Sequence, residues 1–201
     1  VREFGLTGGI GSGKSAVSER LVAHGAGLVD ADATVKKLQA AGMPVFDEIV
    51  SHFGDSVVGG DGELDRAALA SIVFSDTEEL QRLNEIVHPP VREDMARQRA
   101  DLGKTHEIVV LDIPLLVEGD PMALAGIVVV DTPIEIAILR LVEHRGFRRE
   151  DAEARMANQV SREERREKAD FVIDNSGSFA HLQAAVDACW DWMSRDESAI
   201  S

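Results

Sequence analysis

Thr7-Gly8-Gly9-Ile10-Gly11-Ser12-Gly13-Lys14-Ser15 fits G-x-x-x-x-G-K-[ST], the phosphate-binding loop, with Gly8, Gly13, Lys14 and Ser15 at its fixed positions. Glycines at this spacing let the backbone turn tightly and aim successive N–H groups at phosphate oxygens. The helix that follows adds the positive end of its dipole. Lys14 is placed to reach the β- and γ-phosphates, and the Ser15 hydroxyl to reach Mg²⁺. Context supports the match. Residues 2–6 read as a short buried strand, and residues 16–23 as a helix with Val17, Leu21 and Val22 turned inward. Strand, glycine loop, helix is the order the motif requires. The stretch is a nucleoside triphosphate site by this reading, with ATP and Mg²⁺ as the expected cofactors.

Working outward, the 201 residues suit one domain or a domain with a sizeable insertion. Apolar residues make up 44% of the chain and charged ones 28%, an ordinary globular balance. No apolar run is long enough for a membrane span, and no signal-peptide pattern opens the sequence. A single cysteine, Cys189, has no internal partner for a disulfide, which suits a cytoplasmic protein. The net charge of −15 argues against nucleic acid as a partner. It also sits oddly with polyphosphate until its distribution is considered: residues 140–168 carry nine basic residues against seven acidic ones.

Gly27-Leu28-Val29-Asp30 reads as a second buried strand, running into Asp30-Ala31-Asp32. Ligands of open α/β sheets sit beyond the carboxyl ends of the strands. Asp30 is expected to cap the following helix, and Asp32 to accept a proton from an attacking hydroxyl or to reach Mg²⁺. Residues 44–53, 66–74 and 76–102 read as helices, the last capped by Ser75-x-x-Glu78 and kinked or broken at Pro89-Pro90. That run is an inserted helical subdomain, residues 44–104, suited to holding a second substrate. His88 is a substrate-binding candidate there, or else a histidine packed or capping at the kink. Residues 107–112 form a third strand ending in Asp112, which either supports Mg²⁺ or caps the Pro114-Leu115-Leu116 turn. His106-Glu107 opens a zinc-protease pattern that Val110 breaks.

A fourth strand over 126–130 precedes a helix over 133–143, and two further helices, 148–160 and one capped by Ser161, complete an arginine-rich lid over residues 140–168. Planar guanidinium matches phosphate oxygens, and Arg140 and Arg155 are the lid residues we expect at the nucleotide. A fifth strand over 170–174 leads to Asn175-Ser176-Gly177, a loop expected to receive adenine through Asn175. A closing helix over 179–193 places Leu182, Val186, Cys189 and Met193 on one face, with Cys189 in the core, and residues 196–201 should fray. The expected fold is therefore α/β of the P-loop NTPase type: a parallel five-stranded sheet flanked by helices (core 1–43, 105–139 and 169–195), with the helical insertion and the lid.

With these residues in view, the chain resembles the dephospho-CoA kinase family. The matching stretches are Leu6 through Ser15, Val29-Asp30-Ala31-Asp32, Ile86-Val87-His88-Pro89, Pro114-Leu115-Leu116, Arg155-Met156-Ala157-Asn158-Gln159 and Ala169 through Gly177, in the family's order. The resemblance implies transfer of the ATP γ-phosphoryl group to the 3′-hydroxyl of dephospho-CoA, the last step of coenzyme A synthesis. It implies that Asp32 acts on that hydroxyl, that Lys14 and Arg140 bind phosphoryl oxygens, that Thr7 lies beside the acceptor, and that the insertion binds the acceptor. Gly9, Gly11, Ser12, Gly13, Lys14, Ser15 and Ala16 form the ATP-binding loop. Two positions depart from the family's habit, Ala16 for a common Thr and Lys36 for a common Arg or His. A kinase for a nucleoside monophosphate or another small alcohol shares the same parts and is the alternative. A guanine-reading N-K-x-D is absent, since Asn84, Asn158 and Asn175 are followed by Glu85, Gln159 and Ser176.

Overall fold

The computed structural model describes residues 1–119 and 122–195, so the expectation for residues 196–201 lies outside the described residues. The chain divides into two compact units, one made of Val1–Val29 with the chain from Asp101 onward, the other of Asp30–Ala100.

The sheet holds five strands, β1 (Arg2–Gly8), β2 (Gly27–Asp30), β3 (Ile108–Asp112), β4 (Gly126–Asp131) and β5 (Phe171–Asp174), in the order β2-β3-β1-β4-β5. The central strand pairs in parallel on both sides, Phe4 facing Val110 of β3 and Gly126 of β4. β3 is buried along its whole length, which is why its sequence is a near-continuous apolar run and not an alternating one. Helices α1 (Lys14–His24) and α9 (Phe179–Ser194) share a core with the sheet through Leu6, Val17, Leu21, Val128, Ile173, Val186 and Met193. Leu182, Val186, Cys189 and Met193 are buried as their spacing predicts. Val22 is not: it is 44% exposed, because Val17 and Leu21 fill the inward face one turn apart and Val22 falls past its edge. The same unit carries α6 (Ile134–Arg145), α7 (Arg149–Ala157) and α8 (Arg162–Glu167). Ser161 caps α8 as expected, its hydroxyl accepting from the Glu164 N–H at 3.0 Å.

The second unit contains α2 (Ala31–Leu38), α3 (Pro44–Phe53), α4 (Arg66–Val73) and most of α5 (Thr77–Leu102). Val45, Ile49, Val57, Leu69, Val73, Ile86, Val87 and Val91 form its core. Buried Asp94 on α5 ties α2 to it: Gln98 and Arg97 donate to Asp94 at 2.8 Å, Lys37 reaches it at 3.3 Å, and Gln98 also donates to the Thr34 hydroxyl at 2.9 Å. The Gln98 amide, with Lys37 and Arg97, holds the Asp94 carboxyl below the usual carboxylate range against the opposing effect of burial. This network brings α2, which lies outside the expected insertion 44–104, into the compact unit.

One local expectation for α5 is corrected and another is narrowed. Its cap is Asp76, whose carboxylate accepts from the Glu78 and Glu79 N–H groups, while the Ser75 hydroxyl turns back to the carbonyls of Ser71 and Ile72. Asp76 stands one residue nearer the helix than Ser75, so its carboxylate takes the cap. Pro89-Pro90 does not break the helix, which runs from Thr77 to Leu102 with both prolines inside. Pro89 and Pro90 leave the Glu85 and Ile86 carbonyls without their i→i−4 bonds, and the buried Ile86, Val87 and Val91 hold both sides of the interruption in one core.

Candidate active site

The loop after β1 takes its shape from glycines that no other residue replaces. Gly11 and Gly13 have φ of 77° and 85°, the left-handed region costly for any side chain. A Cβ on Gly13 would also run into the Asn175 side-chain amide. Gly13 stands at the N-cap of α1, where no side chain caps the first turn. The Ala16 N–H already donates to the Gly13 carbonyl at 3.1 Å, while those of Lys14 and Ser15, ahead of it in the first turn, suit an anion together with the helix dipole.

Around this loop the first unit gathers the residues singled out from the sequence. Lys14 Nζ forms an ion pair with Asp112 at the end of β3, both side chains being largely buried. Arg140 from α6 donates through Nη2 to the Asn175 carbonyl at 2.9 Å. Its Nη1 is buried with no hydrogen-bond partner among the described residues, as is the Ser12 hydroxyl. Asn175 is buried, and its amide donates to the Ser12 carbonyl at 2.7 Å, bracing the loop. Thr132 donates to the same carbonyl at 3.1 Å. The Thr7 hydroxyl donates to the Pro114 carbonyl at 2.8 Å, tying β1 to the turn after β3. Ser15 is exposed in the first turn of α1, followed by half-buried Ala16.

Asp32 and His88 belong to the second unit. Asp30 caps α2, its carboxylate accepting from the Ala33 N–H at 2.9 Å, as the sequence reading assigned it. Asp32 stands in the first turn of that helix with its side chain exposed. His88 is exposed on α5. Arg155, expected at the nucleotide, lies in α7 with its guanidinium over the Phe147 ring, 5.0 Å from the centroid.

Residues the sequence reading passed over also meet the loop. The Gln159 side-chain oxygen accepts from the Ile10 N–H at 3.0 Å. Asp131, at the end of β4 and 3% exposed, takes a bidentate pair from Arg162, 2.6 Å in both arms, and a further bond from Arg166. Burial pushes the Asp131 carboxyl up, but the two guanidinium groups outweigh it and hold the group below its ordinary range. Arg165 approaches Gly9 so closely that a Cβ there would lie 2.8 Å from its Nη2. Gly9, Ile10, Ser12, Thr132, Gln159 and Arg165 help line a cavity of about 270 Å³ in this unit. A signal for Asp131 existed: strands β2 to β5 all end in aspartate, at Asp30, Asp112, Asp131 and Asp174. An acid closing an apolar parallel strand lies at the sheet edge where ligands bind.

Comparison with known proteins agrees with this chemistry. A family model described as dephospho-CoA kinase matches residues 3–181. The chain is similar to a dephospho-CoA kinase of Thermobifida fusca, 47% identical over 194 residues and 96% of each chain. Among solved structures it is similar to TT1252 from Thermus thermophilus, with a TM-score of 0.84, 36% identity, and 96% of this chain and 98% of that one covered. It is also similar to the dephospho-CoA kinase of Campylobacter jejuni, with a TM-score of 0.71, 28% identity and 96% of each chain covered.

Proposed function

The chain belongs to the dephospho-CoA kinase family, and from that premise we propose how its residues carry out the last step of coenzyme A biosynthesis. The observation that carries the proposal is the pair of buried polar atoms without partners among the described residues, Ser12 Oγ and Arg140 Nη1, at a loop that leads into a helix start with no side-chain cap. A buried polar atom without a partner costs about 1–3 kcal/mol, and an anionic polyphosphate relieves that cost at several atoms together.

In this reading ATP binds through Gly9, Gly11, Ser12, Gly13, Lys14, Ser15 and Ala16, with Arg140, Arg155 and Asn175 completing the nucleotide contacts. Lys14 exchanges its Asp112 partner for phosphoryl oxygens; the ion pair with that carboxylate holds the ammonium in place until then. Dephospho-CoA is the acceptor, with Thr7, Asp32 and His88 as its contacts. The bond between the γ-phosphorus and the β-phosphate oxygen breaks, and ADP leaves with that electron pair. A bond from the acceptor 3′-oxygen to phosphorus forms, and the hydroxyl proton passes to the Asp32 carboxylate. Such transfer needs positioning and charge neutralisation more than covalent help.

The donor set fits Mg²⁺. The hydroxyl of Ser15 is exposed in the first helical turn, and Mg²⁺ takes few protein oxygens when phosphates and water supply the rest. Bound there, the ion would neutralise charge across the β- and γ-phosphates. No described helix is long and apolar enough to cross a membrane, and we place the reaction in the cytoplasm.

Incubation with Mg-ATP and a panel of acceptors tests the reading. CoA and ADP should form with dephospho-CoA, while nucleoside monophosphates and small alcohols leave ATP intact. Phosphorylation of another panel member at a comparable rate would overturn the acceptor assignment.

A further inference from the structure

The lid segment holds three arginines on one short helix, and the structure treats them unequally. Arg162, Arg165 and Arg166 stand at spacings of three and four, so they share a face of α8. None of the described residues of α8 is buried, so no apolar side chain anchors it. Its hold on the sheet is electrostatic: Asp131, itself 3% exposed, takes Arg162 in a bidentate pair and Arg166 beside it. Lys168, just past the helix, adds a bond to the Val117 carbonyl at 2.9 Å.

Arg165 lies between these two arginines and has no such counter-ion. Its hydrogen bond goes to a neutral acceptor, the Val160 carbonyl, at 2.5 Å, and no acidic side chain pairs with it among the described residues. It is half-buried, and burial pushes its guanidinium below the usual arginine range. Its free edge faces Gly9 of the phosphate-binding loop, beside the Ile10 N–H that Gln159 covers. A guanidinium half out of water, paired to no carboxylate and laid against a loop built for phosphate is short of one anion.

We propose that Arg165 is the lid residue that binds the transferring phosphoryl group, and that Asp131 is the positioning residue that aims it by anchoring α8 through Arg162 and Arg166. This rests on the kinase reading above and deepens it. Arg155, from the same lid, lies on Phe147 and does not share this position. When the γ-phosphoryl group occupies the loop, Gln159 gives up the Ile10 N–H and Arg165 takes oxygens at the edge facing Gly9. The chemical step is unchanged; Arg165 spreads the charge that gathers on those oxygens.

The test follows CoA formation by the full chain. Arg165→Ala should lower kcat by roughly 10²–10³-fold, with the KM for dephospho-CoA within about threefold of wild type. Free guanidinium ion should restore part of the lost kcat. Arg165→Lys keeps the charge without the planar fork and should fall between wild type and Arg165→Ala. Asp131→Asn should also lower kcat, and the double variant should be no slower than Arg165→Ala alone, since Asp131 acts through Arg165. A merely structural Asp131 gives additive losses instead, which overturns its positioning role. Near-wild-type kcat in Arg165→Ala, or a loss that guanidinium leaves untouched while Arg165→Lys is fully active, overturns the assignment of Arg165. Failure of the wild-type chain itself to make CoA removes the kinase reading, and this inference with it.

Discussion

Asp94 and Asp131 are both buried carboxylates that hold two cations each, yet they belong to regions that use them differently. In the helical unit the cations around Asp94, Lys37 and Arg97, keep their heads in water, with side chains 64% and 65% exposed. The helices they join already share an apolar core, so Asp94 adds to an architecture that exists without it. At the sheet edge the cations around Asp131 sit on α8, which buries nothing of its own. The same ion-pair chemistry therefore reinforces one element and fixes the position of the other. A buried acid bears on function where the element it holds has no hydrophobic reason to stay.

The largest expected effect sharpens the contrast inside the helical unit. Asp32 is exposed and Asp94 buried, so activity and stability should separate between them. Asp32→Asn should lower turnover by roughly 10²–10⁴-fold while ATP still binds. Its effect on unfolding should stay within about 1 kcal/mol, the worth of an acid in the first turn of a helix. Wild-type turnover in this variant, measured under saturating ATP and dephospho-CoA, removes Asp32 from the mechanism.

Second in size is Gly13→Ala at the sheet edge. The native φ of 85° imposes about 1–3 kcal/mol of strain on any side chain. The new Cβ would also push on the Asn175 amide that braces the loop. Because the strain falls on the phosphate-binding conformation, ATP affinity should weaken by roughly 5–150-fold, read by calorimetric titration. Unchanged affinity would mean that the loop's shape does not depend on this glycine.

What the sequence made legible follows from the same distinction. Elements with apolar cores were readable from periodicity: the buried face of α9, the uniformly apolar β3 and the phosphate loop after β1 all stand where residue pattern puts them. The cap on α8 by Ser161 and the cap on α2 by Asp30 were readable because capping is local. The cap on α5 was misread because Ser75 and Asp76 compete for one helix end. The continuity through Pro89-Pro90 was hidden because packing on both sides, not local geometry, decides it. Most opaque was the ranking of lid arginines. Arg155 and Arg165 look alike in sequence, and only the fold sets one on Phe147 and the other against Gly9.

Third, Asp94→Ala should cost stability without touching chemistry. It takes one of two acceptors from the half-buried Gln98 amide and leaves Lys37 and Arg97 without their shared partner. The loss should be about 1–3 kcal/mol, below the cost of breaking an ion pair whose cations are also buried. For a chain of this size that corresponds to a fall in Tm of roughly 2–4 °C per kcal/mol. At temperatures where the variant is folded, kcat should match wild type. A drop in kcat as large as that expected of Asp32→Asn would erase the division between supporting and working carboxylates.

The smallest effect is a part of the third and depends on pH. The folded-state pKa of Asp94 is lowered, chiefly by the Gln98 hydrogen bond and then by Lys37 and Arg97. A depressed carboxylate pKa means that the folded chain favours the ionised form. Its contribution is complete above the unfolded-chain value of about 3.9 and disappears as pH falls through the lower folded value. Asp94→Asn has no such proton to bind. The gap in unfolding free energy between wild type and Asp94→Asn should therefore stay level from neutral pH down to about 5 and narrow below about 4. Asp131 is depressed in the same direction, by Arg162 and Arg166 against its burial. For Asp131→Asn the narrowing should show best in protease cleavage within residues 140–168, because α8 is what that carboxylate holds and the sheet is anchored elsewhere. A gap for Asp94→Asn that widens on acidification would mean that the buried group is held in its protonated form, and the ion-pair account of the helical unit would fail with it.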